Sequence, residues 1–227
     1  MRIGIIAASE AEINPLLAVM RETSQETHAM LRFHVGMWGS HEIVALYCGV
    51  CKVNAALATQ LLIDRYQVDR MIMTGVAGAI DPTLRIGDTV IASEAAYHDV
   101  VPAVLQQYHP YLDSVYFPAD VDMVAGLQEA AHAGPYAANT TTGRMVTGEA
   151  FIEQEGRQQI IDAHHPLCVD MESAAMAHVC YVNSIPFAVV RSISDTPAES
   201  GMNTFEENCD MAAKRSVALL QTYLDAL

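Results

Sequence analysis

The stretch "PLCVDMESAAMAHVCYVNSIPFAVVRSISD", residues 166–195, decides the fold. The apolar run at 166–171 reads as a strand, and the small and apolar residues at 172–183 read as a helix. The run at 186–194 reads as a second, buried strand. Outward from this unit the same alternation continues. "RIGIIAA" opens the chain as a strand, with a helical pattern from about Glu10 to Met20. Two β-like stretches follow near 29–36 and 41–48, and "KVNAALATQLLIDRY" has the three-and-four spacing of a helix. "RMIMTGVAGAI" and "GDTVIASEA" read as strands, and 97–118 has no clear period. A helix at 120–133, a strand "TTTGRMVTGEAF", a helix at about 153–164 and a long terminal helix from about Thr204 complete the pattern. Strands alternating with helices indicate an α/β domain around a largely parallel central sheet.

Composition bounds the possibilities. The 227 residues are 52% hydrophobic and only 17% charged, which predicts one domain, 1–227, with a large core. No window approaches the roughly 18 consecutive apolar residues of a membrane span, and the first apolar run is too short for a signal sequence. A net charge of −15, with twelve scattered Lys and Arg, argues against nucleic acid and anionic membranes. Five cysteines, odd in number and mostly in apolar segments, read as reduced core thiols, so a cytoplasmic location is expected.

In such sheets ligands sit beyond the carboxyl ends of strands, and several polar groups fall there. Ser9 and Glu12 fit a Ser-x-x-Glu capping box, yet a carboxylate in that place can also face a cleft as a base. "TGVAGAI" puts two glycines after a strand, consistent with a tight turn or a close approach of the backbone. It lacks the pattern of a phosphate loop. Asp170 and Glu172 open a helix, where acids are favoured. Being two apart they are expected to point in different directions. Alternation through "AVVRSISD" places Arg191, Ile193 and Asp195 on one side and Ser192 and Ser194 on the other. Asp195 then reads either as the partner of Arg191, or a helix cap, or a protonated donor in a dry pocket. No histidine pair has metal-ligand spacing, and no Gly-x-Ser-x-Gly elbow is present. No metal and no organic cofactor are expected.

In their order, "IGIIAASEAEI", "GVCKVNAALATQLLI", "TGVAGAIDPTLRIGDTVIAS", "YHD", "GRMVTGEAFI", "VDMESAAMAHVC" and "PFAVVRSISD" resemble the 5′-methylthioadenosine/S-adenosylhomocysteine nucleosidases of the nucleoside phosphorylase superfamily. The resemblance covers nearly the whole chain. It implies a three-layer α/β sandwich with a mixed central sheet flanked by helices, a homodimer, and hydrolysis of the adenine N-glycosidic bond of a small 5′-thioadenosine. By the same resemblance Asp195 protonates adenine N7 and Ser194 holds it. Glu12 deprotonates the attacking water with Arg191 in support. Glu172 grips the ribose hydroxyls, Met171 and Val76 lie against the sugar, Phe151 stacks on the base and the backbone of Ile152 reads its edge. Val50, Phe205 and Ser9 belong to the tail pocket. Ser9 stands where relatives carry methionine, and Val76 where they carry serine. The stretch after "YHD" departs from the family. That departure keeps open aminofutalosine or another 5′-modified adenosine as substrate. A phosphorylase is disfavoured because the arginines that bind phosphate in that branch are missing, and a non-catalytic nucleoside-binding protein is the remaining alternative.

Overall fold

The structure, a computed structural model, describes residues 1–135 and 137–227. Its first half comprises β1 (Arg2–Ala7), α1 (Glu10–Leu17), β2 (Arg21–His28), β3 (Leu31–Trp38), β4 (His41–Tyr47), α2 (Lys52–Tyr66), β5 (Arg70–Ala79) and β6 (Thr89–Tyr97). Then come α3 (Pro102–Gln107), β7 (Tyr116–Pro118), α4 (Val121–Ala133), β8 (Thr140–Thr147) and α5 (Arg157–His164). The last third is β9 (Cys168–Asp170), α6 (Ser173–Asn183), β10 (Phe187–Asp195) and α7 (Met202–Ala226).

Period-two alternation explains the layers. In β5, Met71 and Met73 face one apolar cluster with Ala58 and Leu62 of α2 and Ala177 of α6. Ile72, between them, faces a second cluster with Leu16 of α1, Leu127 of α4 and Leu220 of α7. In β10, Phe187 and Val189 join the first cluster while Ala188 and Val190 join the second. Strands buried on both faces are apolar over most of their length, which is why they read as near-continuous hydrophobic runs. The result is the expected three-layer sandwich, with α2 and α6 on one side of a mixed sheet and α1, α4 and α7 on the other.

The sheet is less parallel than the alternation of elements suggested. β1 pairs in parallel with β4 and β5, and β5 with β10. β10 runs antiparallel to β6, β6 parallel to β8, β8 parallel to β9, and β9 antiparallel to β5. These five pairings close a circuit, β5–β10–β6–β8–β9 and back to β5. Because β9 runs back along the end of β5, with Gly78 opposite Val169, it delivers Asp170 and the residues after it beside Gly75–Ala77. β10 carries a register shift between Ile193 and Asp195, with Ile193 opposite Ala77 and Asp195 opposite Gly78. That bulge breaks the simple alternation read through "AVVRSISD".

Other boundaries shift for local reasons. β2 was not foreseen: all eight of its residues are exposed, so no apolar alternation marks it. Its polar side chains suit an edge strand that must not recruit another chain. The first helix ends at Leu17, short of Met20, and α5 starts at Arg157, later than 153. The strand expected to reach 151 ends at Thr147, freeing 148–156 as a connection. The stretch 97–118 contains α3 and β7.

At the N-cap of α2, Cys51 has φ +84° and ψ 163°, a region populated almost only by glycine and costing roughly 1–3 kcal/mol for other residues. Cys51→Gly should therefore stabilise the fold by roughly 1 kcal/mol after the entropic cost of glycine. Thermal denaturation checks this, and a lowered Tm would mean that the thiol's contacts outweigh the strain.

Candidate active site

Helix α1 begins by satisfying its own orphan donors. Ser9 is the N-cap: its hydroxyl accepts from Glu12 N, and Ser9 N donates to Glu12 Oε2 at 2.7 Å. The capping box thus forms, but it uses only one carboxylate oxygen. Glu12 Oε1 accepts from Val76 N at 2.9 Å and from Arg191 Nη1 at 3.2 Å. Cap and cleft, alternatives from the sequence, are both occupied by one side chain.

Gly75 makes that reach possible. It has φ +143°, and a Cβ there would lie 2.2 Å from Glu12 Oε1 and 2.5 Å from Arg191 Nη1. The glycines of "TGVAGAI" therefore admit the protein's own side chains. Gly78 does the same for Asp195, whose Oδ2 would stand 3.0 Å from a Cβ at that position.

Arg191 is wholly buried and binds three carboxylates. Besides Glu12, its Nη2 lies 2.8 Å from Asp170 Oδ2 and 3.2 Å from Glu172 Oε2. Asp170 and Glu172 do not diverge as their spacing suggested, because the turn from β9 into α6 folds both toward the same guanidinium. Asp170 has further structural duties. It accepts from Thr147 Oγ1, from Ser173 N and from the Ser173 hydroxyl. Glu172 is freer, with Oε1 accepting only from Cys51 N at 2.9 Å. Burial pushes the Glu172 carboxyl up to about 7, opposed by Arg191 and reinforced by the neighbouring charge of Asp170.

Asp195 stands apart from this cluster and makes no ion pair with Arg191. Its Oδ1 accepts from the Ser194 hydroxyl at 2.9 Å, while Oδ2 is buried with no hydrogen-bond partner among the described residues. Burial raises its pKa, partly opposed by the Ser194 hydrogen bond and by the positive charge of Arg157. An acid so placed is disposed to hold its proton and present it.

A cavity of about 380 Å³ joins these groups. All the site residues named from the sequence line it except Arg191: Ser9, Glu12, Val50, Val76, Phe151, Ile152, Met171, Glu172, Ser194, Asp195 and Phe205. Arg191 lies behind the wall, gripping its carboxylates. The Phe151 and Phe205 rings meet edge to face with centroids 6.0 Å apart. The connection carrying Phe151 is anchored by the Asp99 of "YHD". Asp99 accepts from Glu149 N at 2.9 Å and pairs with Lys52 Nζ at 2.8 Å, and Lys52 N donates to Glu149 Oε1. Residues that sequence reasoning missed include Met202, at the start of α7 and in the cavity wall, and Arg157, which holds the same connection from below. "EGRQQI" is polar, so Arg157 reads as a surface helix residue, and nothing local marks it as buried. Among the described residues no lysine or arginine lines the cavity, and no group of three or more His, Cys, Asp or Glu could hold a metal.

Comparison with known proteins agrees with this arrangement. The phosphorylase superfamily matches residues 2–225. The 5′-methylthioadenosine/S-adenosylhomocysteine nucleosidase of Colwellia psychrerythraea is 35% identical, over 100% of this chain and 97% of its own. The corresponding nucleosidase of S. pneumoniae, solved with the transition-state inhibitor MT-ImmA, superposes with a TM-score of 0.89 at 33% identity, covering 100% of this chain and 99% of its own. The futalosine hydrolase of Helicobacter pylori superposes at 0.90 with 26% identity, covering 100% and 98%. Full-length similarity of this kind, joined to one shared architecture, makes the chain a member of the 5′-methylthioadenosine/S-adenosylhomocysteine nucleosidase family within the phosphorylase superfamily.

Proposed function

We propose that the chain hydrolyses the adenine N-glycosidic bond of 5′-methylthioadenosine and S-adenosylhomocysteine, giving adenine and the 5-thioribose product. The observation that carries this reading is the separation of two carboxylates in one cavity. Asp195 is buried away from any ion pair, with Oδ2 unpartnered, whereas Glu12 is held by Arg191 and a backbone N–H. An acid and a base with opposite environments are what bond cleavage with a poor leaving group demands.

In this mechanism Asp195 delivers its proton to adenine N7 as the C1′–N9 bond breaks, and the bonding electrons leave with the base. The ribosyl acquires oxocarbenium character. Water attacks C1′ and gives its proton to Glu12, whose Oε1 is fixed by Val76 N and Arg191. Glu172 accepts from the ribose hydroxyls, and Met171 and Val76 close the apolar side of the sugar. Phe151 stacks on the base. The Ile152 carbonyl, which accepts from Arg157 at 3.3 Å, keeps a second lone pair for the adenine amino group. Ser9, Val50 and Phe205 surround the 5′ tail. Arg191 itself is engaged by three carboxylates, and among the described residues no lysine or arginine lines the cavity to neutralise a phosphate. The likeness to futalosine hydrolase supports a second reading, in which the same machinery accepts a bulkier 5′ substituent. We further propose a homodimer, for which exposed Val53, Leu57, Val101 and Val104 offer apolar surface, and a cytoplasmic location, in keeping with five free cysteines. No helix among the described residues is long and apolar enough to cross a membrane.

Adenine release from methylthioadenosine should proceed at the same rate with and without inorganic phosphate, and turnover that requires phosphate would identify a phosphorylase. Asp195→Asn should lower kcat by about a hundredfold or more, since an amide cannot protonate N7. The same variant should be more stable at neutral pH. The native acid keeps a proton that the unfolded chain releases above its ordinary value near 3.8. Its cost to stability therefore grows as pH rises through the raised pKa and vanishes below the unfolded one. Melting curves at acidic and neutral pH test the sign. Glu12→Gln should cost about a hundredfold in kcat and also lower Tm, because both carboxylate oxygens accept and the amide nitrogen would have to face either Ser9 N or the Val76 N–H and Arg191 donors. Full activity with a lowered Tm would return Glu12 to a purely structural role.

A further inference from the structure

Arg157 is the second buried arginine of the site, and it is bound quite differently from Arg191. It is 6% exposed. Its Nη1 donates to the Ala79 carbonyl at the end of β5, its Nε to Glu153 O at 2.7 Å and its Nη2 to Ile152 O at 3.3 Å. Among the described residues it forms no ion pair. A guanidinium kept out of water and satisfied only by carbonyls is expensive, so its place needs a reason other than stability.

Two facts about its neighbours supply one. The carbonyls at 152 and 153 belong to the connection that carries Phe151, and Ala79 directly follows Gly78, the residue against which Asp195 Oδ2 packs. One side chain thus ties the base-stacking segment to the backbone beside the acid. The charged groups whose fields reach Asp195 are Arg157 and Glu153, of opposite sign. The Ser194 hydroxyl adds its hydrogen bond, and burial supplies the rest. Arg191, with three carboxylates, does not serve Asp195.

Resting on the reading of Asp195 as the acid, we propose that Arg157 is a positioning residue that locks the Phe151–Ile152 segment to the end of β5 and balances the negative charge left on Asp195 once its proton has gone to the base. Among the described residues no other cation acts on Asp195. The proton balance of the reaction is unchanged, since Arg157 stays protonated throughout.

The test is the pH dependence of kcat for adenine release from methylthioadenosine in wild type, Arg157→Lys, Arg157→Gln and Asp195→Asn. Turnover needs protonated Asp195, so it falls as pH rises through the pKa of the acid. Without the positive charge, Arg157→Gln should move that alkaline limb upward by about one pH unit and lower kcat by about tenfold or more through loosened geometry. Arg157→Lys should return the limb to its wild-type position while restoring kcat only in part, because one ammonium cannot span the three carbonyls. A purely structural arginine would lower Tm in both variants and leave the limb where it was, which would overturn the inference. If glutamine fails to fold, Arg157→Met, which keeps an unbranched stem without the charge, takes its place: an upward shift of its limb would support the inference and an unmoved limb would overturn it. Appreciable turnover by Asp195→Asn would overturn the acid assignment itself, separately from anything seen at Arg157.

Discussion

The site depends on one constraint: a single buried guanidinium shared by three carboxylates. Glu12 comes from α1, Asp170 from the end of β9 and Glu172 from the start of α6, and Arg191 in β10 holds all three. Three negative charges against one positive would be untenable in a dry interior if each carboxylate had no other support. Each has it. Glu12 takes two backbone N–H groups, Asp170 takes hydroxyls and backbone N–H groups, and Glu172 takes Cys51 N. Glu172 has the fewest partners, and burial, opposed by Arg191 and reinforced by the charge of Asp170, lifts its pKa. Buried ion pairs contribute little net stability. What this one contributes is position, since three separate elements are brought to one point.

Charge separation follows from the same arrangement. Asp195 is only four residues from Arg191, and in a regular strand both would project from the same face. The bulge at Ile193–Asp195 moves the acid out of that alternation, and Gly78 gives it room. Had the two paired, the carboxyl would have been held ionised and unable to donate. Instead one strand carries both the cation that fixes the base and the acid that must stay neutral.

The layers were legible because the strands buried on both faces open as continuous apolar runs, and the flanking helices carry a three-and-four spacing. β2 was not legible, since an exposed edge strand is specified by backbone pairing with β3 and its side chains carry no pattern. The site residues were named through a resemblance spread over the whole chain. Local spacing alone left Glu12 between cap and base, and Asp195 between ion pair and donor. Spacing misjudged Asp170 and Glu172, because residues two apart diverge within a helix, whereas these two straddle the turn from β9 into α6. Arg157 had no signal at all: its burial arises from the packing of 148–156 over β5, a tertiary event with no trace in a polar helical stretch.

The closed circuit β5–β10–β6–β8–β9 leaves the strands around the cavity hydrogen-bonded to neighbours on both sides. Such a ring has no edge to open and cannot widen by splaying one strand. Entry and exit of small molecules therefore fall to cavity-lining segments outside the ring, among them Ala150–Ile152 and Met202, while the acid stays on β10 and the base, on α1, is tied to β10 by Arg191. The acid and the arginine that fixes the base thus sit on a strand paired on both sides, and passage is left to the segments between strands and helices.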